Sequence, residues 1–172
     1  MKTIIITGEK AEGKTSFLLK IVYDARKRAV KTGGILSLRI MQNEVTIGYD
    51  VLDISTEKRV NLLSDKPIEA ATKIGKFYFH QSGLEFGNQV IEKSIQDSHL
   101  IFLDEIGKSE LENSAWHEAL NNIILHFNGT LILAVRKSFV QEVCEKYQFL
   151  DFQLLDIANS TVTDFWKLLD EK

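Results

Sequence analysis

Near the start of the chain an unbroken apolar run, Ile4-Ile5-Ile6, sits inside Lys2–Thr7. Such a run reads as a strand covered on both faces. The period then changes. Phe17, Leu18, Ile21, Val22 and Ala25 recur at helical spacing and predict a helix over about Lys14–Val30. Gly33-Gly34 reads as a turn into a strand at Ile35–Ile40, and Gln42-Asn43 as a second tight turn. Glu44–Asp53 alternates, which puts Val45, Ile47, Tyr49 and Val51 on one face. A turn at Ser55–Lys58 leads into a short strand at Arg59–Leu63, so about residues 42–64 form an antiparallel meander. Lys76–Phe79 is one more short strand.

The second half alternates element types. A helix over Gly87–Ser98 carries Val90, Ile91 and Ile95, and Leu100–Leu103 follows as a buried strand. Ser114–Phe127 is helical, with Ala115, Ala119, Leu120, Ile123 and Ile124 as its core face; Thr130–Val135 is a strand. Ser138 and Gln141 make a capping-box pattern for a helix to Tyr147. Phe152–Leu155 is the last strand, and a terminal helix from near Ser160 buries Phe165, Leu168 and Leu169. Strand–helix alternation predicts a three-layer α/β/α architecture with a mainly parallel sheet, the meander being an insertion. We expect one domain over residues 1–172.

Composition narrows the setting more than the fold. A length of 172 residues suits a single core, and 44% hydrophobic with 26% charged residues is ordinary for a globular chain. The formal charge of −3 asks for neither nucleic acid nor an anionic membrane. No apolar stretch approaches the ~20 residues that span a bilayer, and the first residues lack a signal-peptide layout. The single cysteine, Cys144, excludes an internal disulfide framework; it lies on a helix face with Val140, Val143 and Tyr147. Together these point to the cytoplasm. The four histidines are scattered and form no zinc spacing.

The candidate chemistry begins where the first strand ends. Gly8-Glu9-Lys10-Ala11-Glu12-Gly13-Lys14-Thr15 fits G-x-x-x-x-G-K-[ST] without mismatch. The glycines allow a tight turn that presents N–H groups to phosphate oxygens, and Ser16 continues the run into the helix. Lys14 reaches the β- and γ-phosphates, while the Thr15 hydroxyl ligates Mg²⁺. The helix N-terminus adds its positive dipole end.

Leu100-Ile101-Phe102-Leu103 ends in Asp104-Glu105. In an open parallel sheet the ligand sits beyond the carboxyl ends of the strands, so Asp104 can reach the same Mg²⁺. Glu105, directly after it, is placed to polarise a water in line with the γ-phosphate. Alone, the pair could equally begin a solvated loop. Arg136, after Thr130–Val135, and Arg39, at the end of the second strand, are candidates to neutralise transition-state charge, or simply surface arginines at strand ends. Lys108 and Glu110 either orient the loop after Glu105 or face solvent. The basic cluster Arg26-Lys27-Arg28 with Lys31 reads as a solvated helix end.

Asp104-Glu105-Ile106-Gly107-Lys108-Ser109-Glu110-Leu111 resembles the D-E-I-G-x-M-E-L signature of the thermophile-type nucleoside-triphosphate phosphatases, also called the cancer-related NTPase family. Gly33-Gly34-Ile35 followed by Arg39 is similar to that family's second strand, and Gly75-Lys76-Phe77-Tyr78-Phe79 to its G-[KR]-Y segment. The resemblance covers most of the chain. It implies a P-loop α/β domain that hydrolyses ATP, GTP and other nucleoside triphosphates with Mg²⁺. Departures are local. Lys10 and Ala11 stand where the family has Pro and Gly, Phe77 stands beside Tyr78, and Ser109 replaces Met. Ala11 restricts the backbone more than glycine would.

Three functions compete on the residues. A nucleoside triphosphatase uses water as acceptor, with loose base recognition because no N-K-x-D motif is present. A small-molecule or nucleotide kinase would use the same loop and metal site, with the meander shaping an acceptor pocket; no arginine-rich lid segment supports it. A nucleotide-gated switch would hydrolyse only incidentally.

Overall fold

Strand β1 (Lys2–Gly8) is buried from Thr3 onward, because side chains of both parities meet a covered face. In the computed structural model, which describes residues 1–171, it is followed by α1 (Lys14–Lys27), β2 (Thr32–Gln42), β3 (Val45–Asp53) and β4 (Arg59–Ser64). Next come β5 (Lys73–Ile74), β6 (Phe77–Phe79), α2 (Gln81–Asp97) and β7 (Leu100–Ile106). The remaining elements are α3 (Lys108–Leu111), α4 (His117–His126), β8 (Thr130–Arg136), a 3₁₀ turn (Lys137–Phe139), α5 (Val140–Tyr147), β9 (Phe152–Asp156) and α6 (Val162–Asp170).

The strands form one sheet in the order β5-β6-β4-β3-β2-β7-β8-β1-β9. From β2 to β9 the pairings are parallel; from β2 to β5 they are antiparallel. Strand period sorts the core into two layers. Ile5, Ile101, Leu103, Leu131, Leu133 and Val135 face α2, α4 and α5. Ile4, Ile6, Phe102, Ile132 and Ala134 face α1 and α6. The three-layer α/β/α reading therefore holds, and the expected meander is present as an antiparallel extension of the parallel core. Among the described residues, no helix is long and apolar enough to cross a membrane.

Several local expectations differ from the structure: Ser138 does not cap α5, whose N-cap is Phe139, Leu168 and Leu169 are half-buried, and α4 begins at His117, not Ser114. Gly33-Gly34 is not a turn but lies inside β2, paired with Ile101 and Phe102 of β7. A Cβ on Gly34 would sit 2.1 Å from the Phe102 carbonyl oxygen, and Gly34 has φ +92°. These glycines mark close approach of backbone, not a reversal. Helix α2 begins at Gln81, six residues before the expected Gly87, and buries Gly83 and Gly87. Gly83 lies against the Asn61 carbonyl and Gly87 against the Trp116 ring, so packing overrides the low helix propensity of glycine. On β3 the expected apolar face is buried only at Val51; Ile47 and Tyr49 are half-buried and Val45 is exposed near the hairpin tip.

Gly34→Ala should destabilise the fold by about 3 kcal/mol, summing overpacking against Phe102 and left-handed strain. Denaturant unfolding checks this, and an unchanged midpoint would contradict the close-approach argument.

Candidate active site

The loop between β1 and α1 is built by two left-handed residues. Gly13 has φ +104°, and its carbonyl accepts the Phe17 N–H at 2.9 Å to open α1. Ala11 has φ +62°, a conformation that costs a residue with a Cβ roughly 1–2 kcal/mol. Lys14 is buried, and its Nζ donates to the Gly8 carbonyl at 3.2 Å and the Glu9 carbonyl at 2.8 Å. Glu9 donates its N–H to Glu12 Oε2 at 2.5 Å. Glu9, Lys10, Ala11, Glu12 and Ser16 are exposed; Gly13 and Thr15 are half-buried. The loop thus holds one buried cation beneath an accessible rim of backbone.

Asp104 lies two strands away and is brought to the loop by the sheet. In register, β8 joins them: Leu133 pairs with both Leu103 and Ile5, and Arg136 with Gly8. The Thr15 hydroxyl donates to Asp104 Oδ2 at 2.7 Å, and the Ser37 N–H donates to the same oxygen at 3.2 Å. Asp104 Oδ1 accepts the Glu105 N–H at 2.9 Å. Asp104 has no solvent exposure. Burial and then the Glu105 charge push its carboxyl up to about 7, against those three hydrogen bonds. All three donors are neutral. A buried carboxylate so placed gains from a cation, and a hydroxyl with a carboxylate is the hard oxygen set that suits Mg²⁺. Among the described residues no cluster of three or more His, Cys, Asp or Glu side chains could hold a metal alone. Mg²⁺ bound mainly through substrate phosphates and water needs no such cage.

Glu105 is exposed and adopts φ +58°. The register with β8 slips here, since Leu103 faces Leu133 and Ile106 faces Val135. Two residues, Asp104 and Glu105, therefore oppose Ala134 alone, as in a β-bulge, a device that re-aims side chains beside active sites. Glu110, which sequence left undecided between loop and solvent, is only 1% exposed. Its carboxylate accepts the Gly107 N–H at 2.8 Å and the Trp116 N–H at 3.3 Å. Burial pushes it up to about 7, with the Glu105 charge a lesser cause. Its burial was not visible in sequence.

Arg136 faces Gly8 across the β1–β8 pair, and its buried Nε has no hydrogen-bond partner among the described residues. Its guanidinium lies 5.6 Å from the Phe139 ring centroid. Arg39 is exposed and pairs with Tyr49 on the antiparallel side of β2, away from the loop's neighbour strands. Lys108 is exposed and pairs with Glu112 at 3.6 Å. Ser37, which sequence did not single out, enters through its backbone, so no side-chain signal could have marked it.

Comparison with known proteins bears on the family and the fold. A family profile described as NTPase matches residues 3–163. Nucleoside-triphosphatase THEP1 of Thermotoga maritima is 27% identical over 155 residues, covering 88% of this chain and 85% of that protein. The protein of the same name from Methanocaldococcus jannaschii is 25% identical over 146 residues, 83% of each chain. Among solved structures, THEP1 from the hyperthermophile Aquifex aeolicus superposes with TM-score 0.78 at 20% identity, over 98% of this chain and 99% of that one. A human cancer-related nucleoside triphosphatase gives TM-score 0.75 at 20% identity, over 99% and 98%. At that identity the structures speak for the fold.

Ala11→Gly should stabilise the protein by about 1 kcal/mol in thermal or denaturant unfolding, by relieving the left-handed Cβ. A destabilised variant would mean that the Ala11 methyl makes contacts that outweigh the strain. Glu110 gives a pH test. Its folded pKa of about 7 lies above its ordinary value of 4.5. Folding therefore binds its proton more tightly. That stability is complete below about pH 4.5 and is lost as pH rises through about 7. Across this window the Tm of the metal-free protein should fall more steeply than that of Glu110→Gln, with Asp104 common to both. Equal slopes would overturn the assignment.

Proposed function

This chain belongs to the NTPase family and is a nucleoside triphosphatase; within that activity, we propose that the loop Gly8–Thr15 and the pair Asp104-Glu105 form the hydrolytic site. The observation that carries the proposal is the Thr15–Asp104 hydrogen bond, which joins the phosphate loop to the acidic strand end beside a re-aimed Glu105. The loop N–H groups from Glu9 to Ser16 and the buried Lys14 ammonium cradle the triphosphate. Lys14 exchanges its two carbonyl partners for β- and γ-phosphate oxygens. Thr15 and Asp104 would hold Mg²⁺, which would supply positive charge against the negative charge that develops on the phosphates.

Glu105 orients a water and accepts its proton as the water oxygen attacks the γ-phosphorus. The bond to the β–γ bridging oxygen breaks, leaving a nucleoside diphosphate and phosphate. Its exposure suits contact with water, and its left-handed backbone turns it away from the ladder. Arg136, opposite Gly8 with an unpartnered Nε, supplies positive charge near the β–γ bridge. Arg39 pairs in register with Tyr49 on the antiparallel side of β2, and Arg136 is the arginine this reading uses. ATP and GTP both serve, since no base-specificity motif is present. The single cysteine suits the reducing cytoplasm.

Lys14→Ala should lose nucleotide binding and hydrolysis together, measured by equilibrium binding and phosphate release. Glu105→Gln should bind nucleotide within about threefold of wild type and lose about 10²–10³ in turnover. Phosphate should be released from ATP with no added acceptor. Wild-type turnover in Glu105→Gln, or strict dependence on an organic acceptor, would overturn the reading.

A further inference from the structure

The buried carboxylate of Glu110 has no part in the chemistry just described, and its placement calls for a reason. We propose that Glu110 is a positioning residue for hydrolysis: it clamps the backbone that follows Glu105 and so holds the Glu105 side chain toward the phosphate site. The proposal rests on the reading of Glu105 as the water-orienting group.

Glu105 occupies a left-handed conformation at a slip in the β7–β8 register. Such a residue persists only where its surroundings over-determine it. On its N-terminal side the constraint is direct, because Asp104 Oδ1 takes the Glu105 N–H at 2.9 Å. On its C-terminal side Ile106 is buried against the core. The next N–H, that of Gly107, ends on Glu110 Oε2 at 2.8 Å. The other oxygen of the same carboxylate takes the Trp116 N–H at 3.3 Å, at the entry to α4. Tyr147 on α5 donates its hydroxyl to the Glu110 carbonyl at 3.2 Å and also meets His117 Nδ1 at 2.8 Å. One side chain thus ties the end of β7 to α4, while its own backbone is tied to α5.

A helix cap alone does not account for this. Helix α3 has four residues, and an uncharged side chain would cap it without the cost of burying a carboxylate. What a carboxylate adds is two acceptors on one rigid plane, which fix two backbone segments at a set separation. Glu105 is therefore framed by two buried acids, Asp104 before it and Glu110 after it. Loss of the rear clamp lets the strained turn relax and moves the water-orienting group by a fraction of an ångström. Displacements on the order of 1 Å can cost about a hundredfold in rate.

The test is a double-mutant cycle on single-turnover phosphate release, with KM, nucleotide Kd and Tm for every protein. Glu110→Gln should lower kcat about 10–100-fold while KM and Kd stay within about threefold. Glu110→Asp keeps the charge but is too short to span both N–H groups, and should also lower kcat; it serves if the glutamine variant does not fold. In the Glu105→Gln background either change should cost less than about twofold further, because both act through one group. Equal factors in the two backgrounds, or wild-type kcat in both Glu110 variants, would overturn the clamp. Wild-type turnover in Glu105→Gln alone would instead sink the reading beneath it, and the cycle separates the two failures.

Discussion

Asp104 carries a carboxylate with no exposure to solvent, and the three groups that donate to it are neutral. Burial of that charge is unfavourable, as the rise of its carboxyl to about 7 records. The rest of the site depends on this one constraint. Thr15 is drawn to Oδ2, which fixes the first turn of α1 against β7 across the one intervening strand, β8. The Glu105 N–H is drawn to Oδ1, which supports the left-handed backbone that re-aims the next side chain. A cation between Thr15 and Asp104 lowers the energy of a group the fold has already desolvated.

Desolvated acids with raised pKa gather at one turn, beside local left-handed backbone. Ala11 and Glu105 are left-handed without being glycine, and Asp104 and Glu110 are buried acids pushed up to about 7. The strands beneath them are nearly perfect by contrast. Ile4, Ile5, Ile6, Leu131, Ile132 and Leu133 have no solvent exposure and bury both faces of the sheet. A core of that quality can carry a few kcal/mol of local frustration at its carboxyl edge. The acidic turn is where the fold buries carboxylates at a cost, and phosphate chemistry calls for N–H groups and carboxylates held out of water.

Much of this was legible in the residues because motif and period agreed. Ile4–Ile6 before Gly8–Thr15, and Leu100–Leu103 before Asp104-Glu105, placed both halves of the site at strand ends. What was not legible is contact between distant segments. Gly33 and Gly34 read locally as a turn and Gly87 as the start of a helix, yet these glycines and Gly83 are small because Ser94, Phe102, Trp116 and Asn61 lie against them. Glu110 read as either surface or loop, since nothing local announces that Trp116 and Tyr147 close over it. Local rules assign a glycine its turn and an acid its solvent. The folded chain overrides both where partners far in sequence arrive.

The antiparallel extension illustrates the same point at larger scale. As a sequence it looks like an insertion beside the catalytic core. In the sheet, β2 pairs with β7 only from Thr32 to Ile35 and then continues against β3 alone. Beyond Ile35 its N–H groups on the β7 side no longer have a ladder partner. Ser37 is the first such residue after the parting, and its N–H closes on Asp104 at 3.2 Å. The divergence of β2 from β7 therefore opens the sheet at the point where the buried acid Asp104 stands and supplies one of its three donors. Had β2 stayed in register to its end, that amide would have been spent on β7. The extension is thus part of how the site is made, because it gives β2 somewhere else to pair.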